Sequence, residues 1–170
     1  MVTEDQYIAY YENLAQKHTA ILHDPQGKKS FFEVEDPTDL GGFDAALRGT
    51  VGDTVMLLVA GENDLDDAES ESHTQTTELE LYILQRKKTG ITVPAIRSAC
   101  MGIITDILAR TKQDARKQLV VPGKITYFNI RKLPVRQVGP MNLNWYGYTA
   151  LITFSCPFAC PVNSGTWTDK

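Results

Sequence analysis

The stretch "QTTELELYILQRKK", residues 75–88, decides the fold. Thr77, Leu79, Leu81 and Ile83 alternate with Glu78, Glu80 and Tyr82. A period of two puts the first set on one face of a strand and the second set on the other. Just upstream, "DTVMLLVAGE" (53–62) is apolar almost throughout, as expected of a strand covered on both faces. Between the two runs lie six acids, Glu62, Asp64, Asp66, Asp67, Glu69 and Glu71, with little to bury. That composition predicts an exposed, mobile acidic loop at about 61–75, at the tip of a hairpin.

Outward from this hairpin, the N-terminal "TEDQ" (3–6) has the form of a capping box, and Glu4 and Asp5 suit the positive end of a helix dipole. Ile8, Tyr11, Leu14 and Ala15 continue at helical spacing to about His18. Two β-prone runs, 20–23 and 30–35, flank Asp24-Pro25-Gln26-Gly27, a turn sequence that predicts a second hairpin. Residues 36–52 read as a connector with one helical turn from Phe43 to Leu47. After Gly90, Pro94 opens a long helix whose apolar stripe is Ile96, Cys100, Ile103, Ile104, Ile107 and Leu108. The last pair of runs, 123–137 and 142–156, is joined near Gly139 and Pro140, and Pro134 confines the first of them to an edge or a bulge. In the final run, Tyr146, Tyr148, Ala150, Ile152 and Phe154 share one face, expected against the long helix. Trp145, Gly147, Thr149, Leu151 and Thr153 share the other. The expectation is a single α+β domain over 1–160, mainly an antiparallel β-sheet of hairpins packed by two α-helices on one face. Residues 161–170 form a tail.

Composition narrows the function. With 42% apolar and 22% charged residues the chain is of globular type. No run near the N-terminus has the length of a signal sequence or a membrane span, so neither secretion nor membrane insertion is expected. Net charge is −4, but residues 1–80 hold 18 acids against 4 bases, and residues 81–170 hold 3 acids against 13 bases. Such segregation either cancels when the halves interleave or leaves an acidic and a basic face. A molecule of the second kind associates head to tail.

Catalytic patterns are missing. His18, His23 and His73 lie near no serine or cysteine in a recognisable setting, and no zinc-protease, dinucleotide or nucleophile-elbow motif is present. No enzyme activity and no cofactor are expected. The "GKKS" at 27–30 lacks the leading glycine of a phosphate loop, since Leu22 stands there. Asp64 and Asp66 begin like a calcium loop, but Ala68 and Glu69 break the pattern, so no metal is expected. Cys100, Cys156 and Cys160 have no neighbouring histidine and read as reduced thiols. Eight bases between 109 and 137 raise nucleic-acid binding, against which the pI of 5.4 and the acidic run both weigh. The rings of Trp145, Tyr146 and Tyr148 raise a ligand-stacking module, against which the alternation weighs, because it splits Trp145 from the tyrosines. Gly147 marks a bulge or a close approach by another chain.

The element order resembles that of the tail terminator (tail completion) proteins of long-tailed bacteriophages. The parts that carry the resemblance are "EDQYIAYYENLAQ", "HDPQGKKSFF", "DTVMLLVAGE", "QTTELELYILQRKK", "VPAIRSACMGIITDILAR" and "WYGYTALITFSC", within residues 3–156. Residues 37–52 and the tail after Cys156 have no counterpart. The resemblance implies a structural virion protein of the tail or neck, assembled in the bacterial host cytoplasm. It implies a self-assembled ring, a hexamer, that caps the tail tube, contacts the tube protein and the head–tail connector, and lets DNA pass without specific binding. Other neck, connector or tube-end proteins share such an order. On this reading Glu62, Asp64, Asp66, Asp67, Glu69 and Glu71 face the lumen or the tube. Arg131, Lys132, Arg136 and Trp145 are expected at the contact between subunits.

Overall fold

A computed structural model describes residues 1–35, 38, 40–66, 73–131, 133–142 and 144–159. Its framework is a six-stranded sheet in the order β1-β2-β3-β6-β4, with β5 also paired to β6. The strands are β1 Phe31–Val34, β2 Thr54–Asp66, β3 His73–Arg86, β4 Tyr127–Phe128, β5 Val135–Met141 and β6 Trp145–Phe158. Three helices, α1 Glu4–Lys17, α2 Leu40–Gly49 and α3 Val93–Arg116, complete an α+β fold.

The alternation of 75–88 is realised as β3, the strand between β2 and β6, antiparallel to both. Leu79, Leu81 and Ile83 enter the larger core with Met56 and Leu58 of β2 and Ala150, Ile152 and Phe154 of β6. That core is closed by Tyr7, Tyr11, Leu14 and Ala15 of α1 and by the apolar stripe of α3. Gln6 Oε1 accepts the Thr3 N–H at 3.0 Å, which fixes the start of α1. Thr92 caps α3 through Oγ1, and Pro94 stands in its first turn.

The continuous apolar run of β2 has the expected cause, because both faces are covered. Val55, Leu57 and Val59 point away from the first core into a second one, shared with Val34, Leu84, Trp145 and α2. The two helices expected on one face, α1 and α3, are both there, and a third helix, α2, covers the other face. The single turn expected at 43–47 is ten residues long. It is held by burial of Phe43, Ala46 and Leu47, with the Phe43 ring set edge-on to Tyr82 at 5.2 Å.

Three further expectations are corrected. The hairpin across 20–35 does not form, although its turn does: Asp24 N–H donates to the Lys28 carbonyl at 2.8 Å. The first arm instead curls back on α1, where Leu22 N–H reaches the His18 carbonyl and His23 N–H the Ala15 carbonyl. His23 Nδ1 then accepts the N–H groups of Ser30 and Phe31, which releases β1 to pair in parallel with β2. The parallel pairing requires a crossover, and α2 supplies it. The run 123–137 is not one strand, but two short pieces, β4 and β5, lying end to end along the outer edge of β6. Pro134 stands immediately before β5, on the edge where a missing N–H is harmless. Last, the acidic segment is in part a strand. Residues 62–66 belong to β2, and 73–75 belong to β3. Positions 67–72, the rest of the expected loop, lie outside the described residues, as do 160–170.

Candidate functional site

β2 runs further than its outer neighbour. β1 pairs with Met56 to Val59 and stops, whereas β2 continues along β3 as far as Asp66. Ala60 is opposite Leu79 and Asn63 opposite Thr77, so Gly61 and Glu62 together oppose Glu78 in a bulge. The bulge requires a glycine, since a Cβ on Gly61 would stand 2.5 Å from the Glu78 carbonyl oxygen. Beyond it, Asn63 Oδ1 accepts the Thr77 hydroxyl at 2.7 Å and restores the register. Glu62, Asp64, Leu65 and Asp66 are all exposed. Among the described residues no strand covers the outer side of β2 at 61–65.

The bulge turns Glu62 toward acids that its sequence neighbourhood does not reveal. Glu62, Glu33, Glu35, Glu4 and Asp5 line one open hollow with Ala60 and Gly61. Glu33 and Glu35 arrive through the parallel pairing of β1, and Glu4 and Asp5 through the first turn of α1. Partial burial, and then the neighbouring Glu4, Glu35 and Asp5, raise the Glu33 carboxyl above its ordinary value. A raised carboxyl means that folding binds the proton more tightly, so ionised Glu33 costs stability above its folded pKa and nothing at low pH. Glu33→Gln is expected to raise the melting temperature at pH 7, and the gain should vanish near pH 4, about the ordinary value for glutamate. The effect stays within the ~0.5 kcal/mol of a surface substitution because solvent screens the site. Thermal melts at the two pH values check it.

The opposite edge is basic. Lys112 and Arg116 of α3 line an open groove with Ile125, Tyr127, Asn129, Thr153 and Ser155, which wraps the outer side of β4. Arg110 is not free to join them. Its Nε donates to Asp114 at 2.8 Å, and Asp114, buried at 4% exposure, also accepts the Tyr10 hydroxyl at 3.1 Å. Arg131, in the link from β4 to β5, and Arg136, on β5, are exposed along the same edge. Among the described residues no ion pair involves Glu62, Asp64, Lys112, Arg116, Arg131 or Arg136.

The expected site residues thus fall at two places. Glu62, Asp64 and Asp66 lie on the β2 edge, and Arg131 and Arg136 on the far edge, with β3 and β6 between them. Asp67, Glu69, Glu71 and Lys132 lie outside the described residues. Trp145 is corrected: at 2% exposure it is a core residue beside α2, with the Arg86 guanidinium 4.8 Å above its ring. Its side chain presents nothing to a second subunit. Tyr146 and Tyr148 pack against the other core, on the other face of the sheet, so the three rings form no common platform. Gly147 is not where another chain comes close. The approaching backbone is that of β3, at the Ile83 carbonyl. The exposed Tyr127 and Ile125 were not legible as surface residues, because in sequence they look like the interior of a strand.

Other chemistry has little to stand on among the described residues. No group of three or more His, Cys, Asp or Glu side chains is arranged to hold a metal ion. His23 is held by two backbone N–H groups and by Glu12 at 3.4 Å, and His18 lies 3.9 Å from Asp106. The Cys100 thiol is buried and pushed up to about 12 by desolvation, too high for a nucleophile at neutral pH. No described helix is long and apolar enough to cross a membrane. No family model and no curated protein matches the sequence.

Proposed function

We propose that this chain is the subunit of a structural ring that caps a phage tail tube, ends its polymerisation and joins the tail to the head connector. The observation that carries this reading is the sheet order, which sets an acidic edge and a basic edge on opposite sides of one sheet. A subunit with two unlike edges associates head to tail, and such a contact closes into a ring when its rotation allows. The likeness in element order to tail terminator proteins supports the capping role, the tube and connector partners, the hexameric state and a place in the virion. An acidic lining would keep passing DNA from sticking. No catalytic role is assigned to any residue.

Neutralising Asp64, Asp66, Asp67 and Glu69 together, to Asn or Gln, tests the role. Tubes assembled in the presence of this variant should grow well past their normal length in electron micrographs, while its circular dichroism stays that of the folded protein. Unchanged tube lengths would sink the role of these acids in lining the channel or contacting the tube. Decoration of the tube side wall or of the head vertex alone would assign the chain to another neck or connector position.

A further inference from the structure

The two open edges fit each other. We propose that the outer side of β2 at residues 61–65 in one copy lies edge to edge against β4 of a second copy, with Glu62 and Asp64 of the first facing Lys112 and Arg116 of the second. The inference rests on the ring reading but not on what the ring caps.

Four observations support this pairing. Both edges are at the same end of the sheet, because β3 His73–Thr77 and β6 Phe154–Phe158 connect them rung by rung. Both leave strand backbone without a strand partner among the described residues, the standing invitation to pairing by another chain. The charges are opposite: Glu62 in the hollow of Glu4, Asp5, Glu33 and Glu35, with Asp64 exposed two residues further along the strand, and bases at 112 and 116 without an ion pair among the described residues. Each edge also exposes apolar side chains in a polar setting, Leu65 at 58% on one side and Ile125 at 46% and Tyr127 at 63% on the other. Apolar area is what gives a charged contact its affinity, while the charges set partner choice and register.

Strand direction agrees as well. β2 and β6 both run antiparallel to β3, and β4 runs antiparallel to β6. β4 is therefore antiparallel to β2. A copy placed beside the first by rotation, without being turned over, extends the sheet with its up-and-down alternation intact. An isologous contact, β4 against β4, would set base against base, and β2 against β2 would set acid against acid. The charge pattern selects the heterologous pairing.

A reciprocal charge swap tests this. One variant carries Glu62→Lys and Asp64→Lys, which makes both edges basic, and the other carries Lys112→Glu and Arg116→Glu, which makes both acidic. Light scattering coupled to size exclusion should show an oligomer for the unaltered protein that dissociates as salt rises. Each variant alone should be a monomer, and an equal mixture should regain the oligomer as an alternating assembly. Because acids near the end of α3 oppose its dipole, Lys112→Gln with Arg116→Gln serves as the milder variant, and circular dichroism confirms that each is folded. An unaltered protein that stays monomeric at millimolar concentration and low salt overturns the proposal. So does an oligomer that persists in either folded variant, or a mixture that fails to reassemble. Reassembly together with normal tube lengths under all conditions would preserve this contact and remove the capping role instead.

Discussion

Gly147→Ala is expected to destabilise the protein by about 3 kcal/mol or more, near the upper end of what overpacking costs. Gly147 is opposite Leu84 of β3 and Val138 of β5, inside the sheet. A Cβ placed there falls deep within the contact distance of the Ile83 carbonyl oxygen, and only 3.0 Å from Leu84 Cα. These are backbone atoms of a central strand, so no side chain can swing aside to relieve the clash. β3 would have to shift, and β3 also carries the pairing to β2. For a chain of this size 1 kcal/mol is worth about 2–4 °C, so a fall in melting temperature of roughly 6–12 °C should be seen. Urea unfolding at low protein concentration separates this account from its rival. If Gly147 served a contact between chains, the monomer would keep its stability and only assembly would fail. A change below about 1 kcal/mol would mean that β3 can yield there, against the packing density of a sheet interior.

What could be read from the sequence follows from where each element finds its partners. α1, α3, β3 and β6 are amphipathic with a regular period, and each places its apolar set in the larger core as its spacing requires. α2 escapes such reading. Gly41 and Gly42 sit in its first turn and Gly49 ends it, and glycine is among the weakest helix formers. It exists because Phe43, Ala46 and Leu47 find the second face of the sheet, a tertiary cause that local sequence does not carry. The failed hairpin has the same origin: Phe31–Val34 is strand-forming, as read, but its partner is β2, more than twenty residues away, and not the segment before the turn.

The charged edges divide in the same way. That the chain has an acidic and a basic region was legible from counting alone. That the acids at 62–66 are ordered as a strand was not, since Asp and Asn disfavour strands and the pairing of this segment comes from Thr74–Thr77 across the bulge. The contributions of Glu33 and Glu35 depend on the parallel register of β1, and that of Glu4 and Asp5 on where α1 begins. Charge segregation along the sequence becomes separation in space because the early strands β1 and β2 take one edge and the late strands β4 and β5 take the other. A sheet in which early and late strands alternated would have cancelled the same charges.

Trp145→Ala should cost about 3–5 kcal/mol, the range for deleting a large buried aromatic side chain. The loss is expected to have a distinctive form. The ring belongs to the smaller core, whose other fully buried members are Val34, Val55, Leu57, Val59, Leu84 and the three apolar residues of α2. Removing the largest of these leaves a void on one face of the sheet, while the core between the sheet and α1 and α3 stays filled. A ten-residue helix with three glycines has no stability of its own in water, so α2 depends on that smaller core for its existence. Hydrogen exchange should therefore show amides of residues 43–49 losing protection first and by the largest factor, ahead of those in β3 and α3. Trp145→Phe, which keeps an aromatic ring under the Arg86 guanidinium, should recover most of the loss. A variant that unfolds no more easily than the parent, but no longer assembles, would return Trp145 to the subunit contact from which its 2% exposure removes it. The burial argument predicts the reverse: where Trp145→Ala weakens assembly, it does so by loosening α2 and the adjoining β1 and β2, and in proportion to the stability lost.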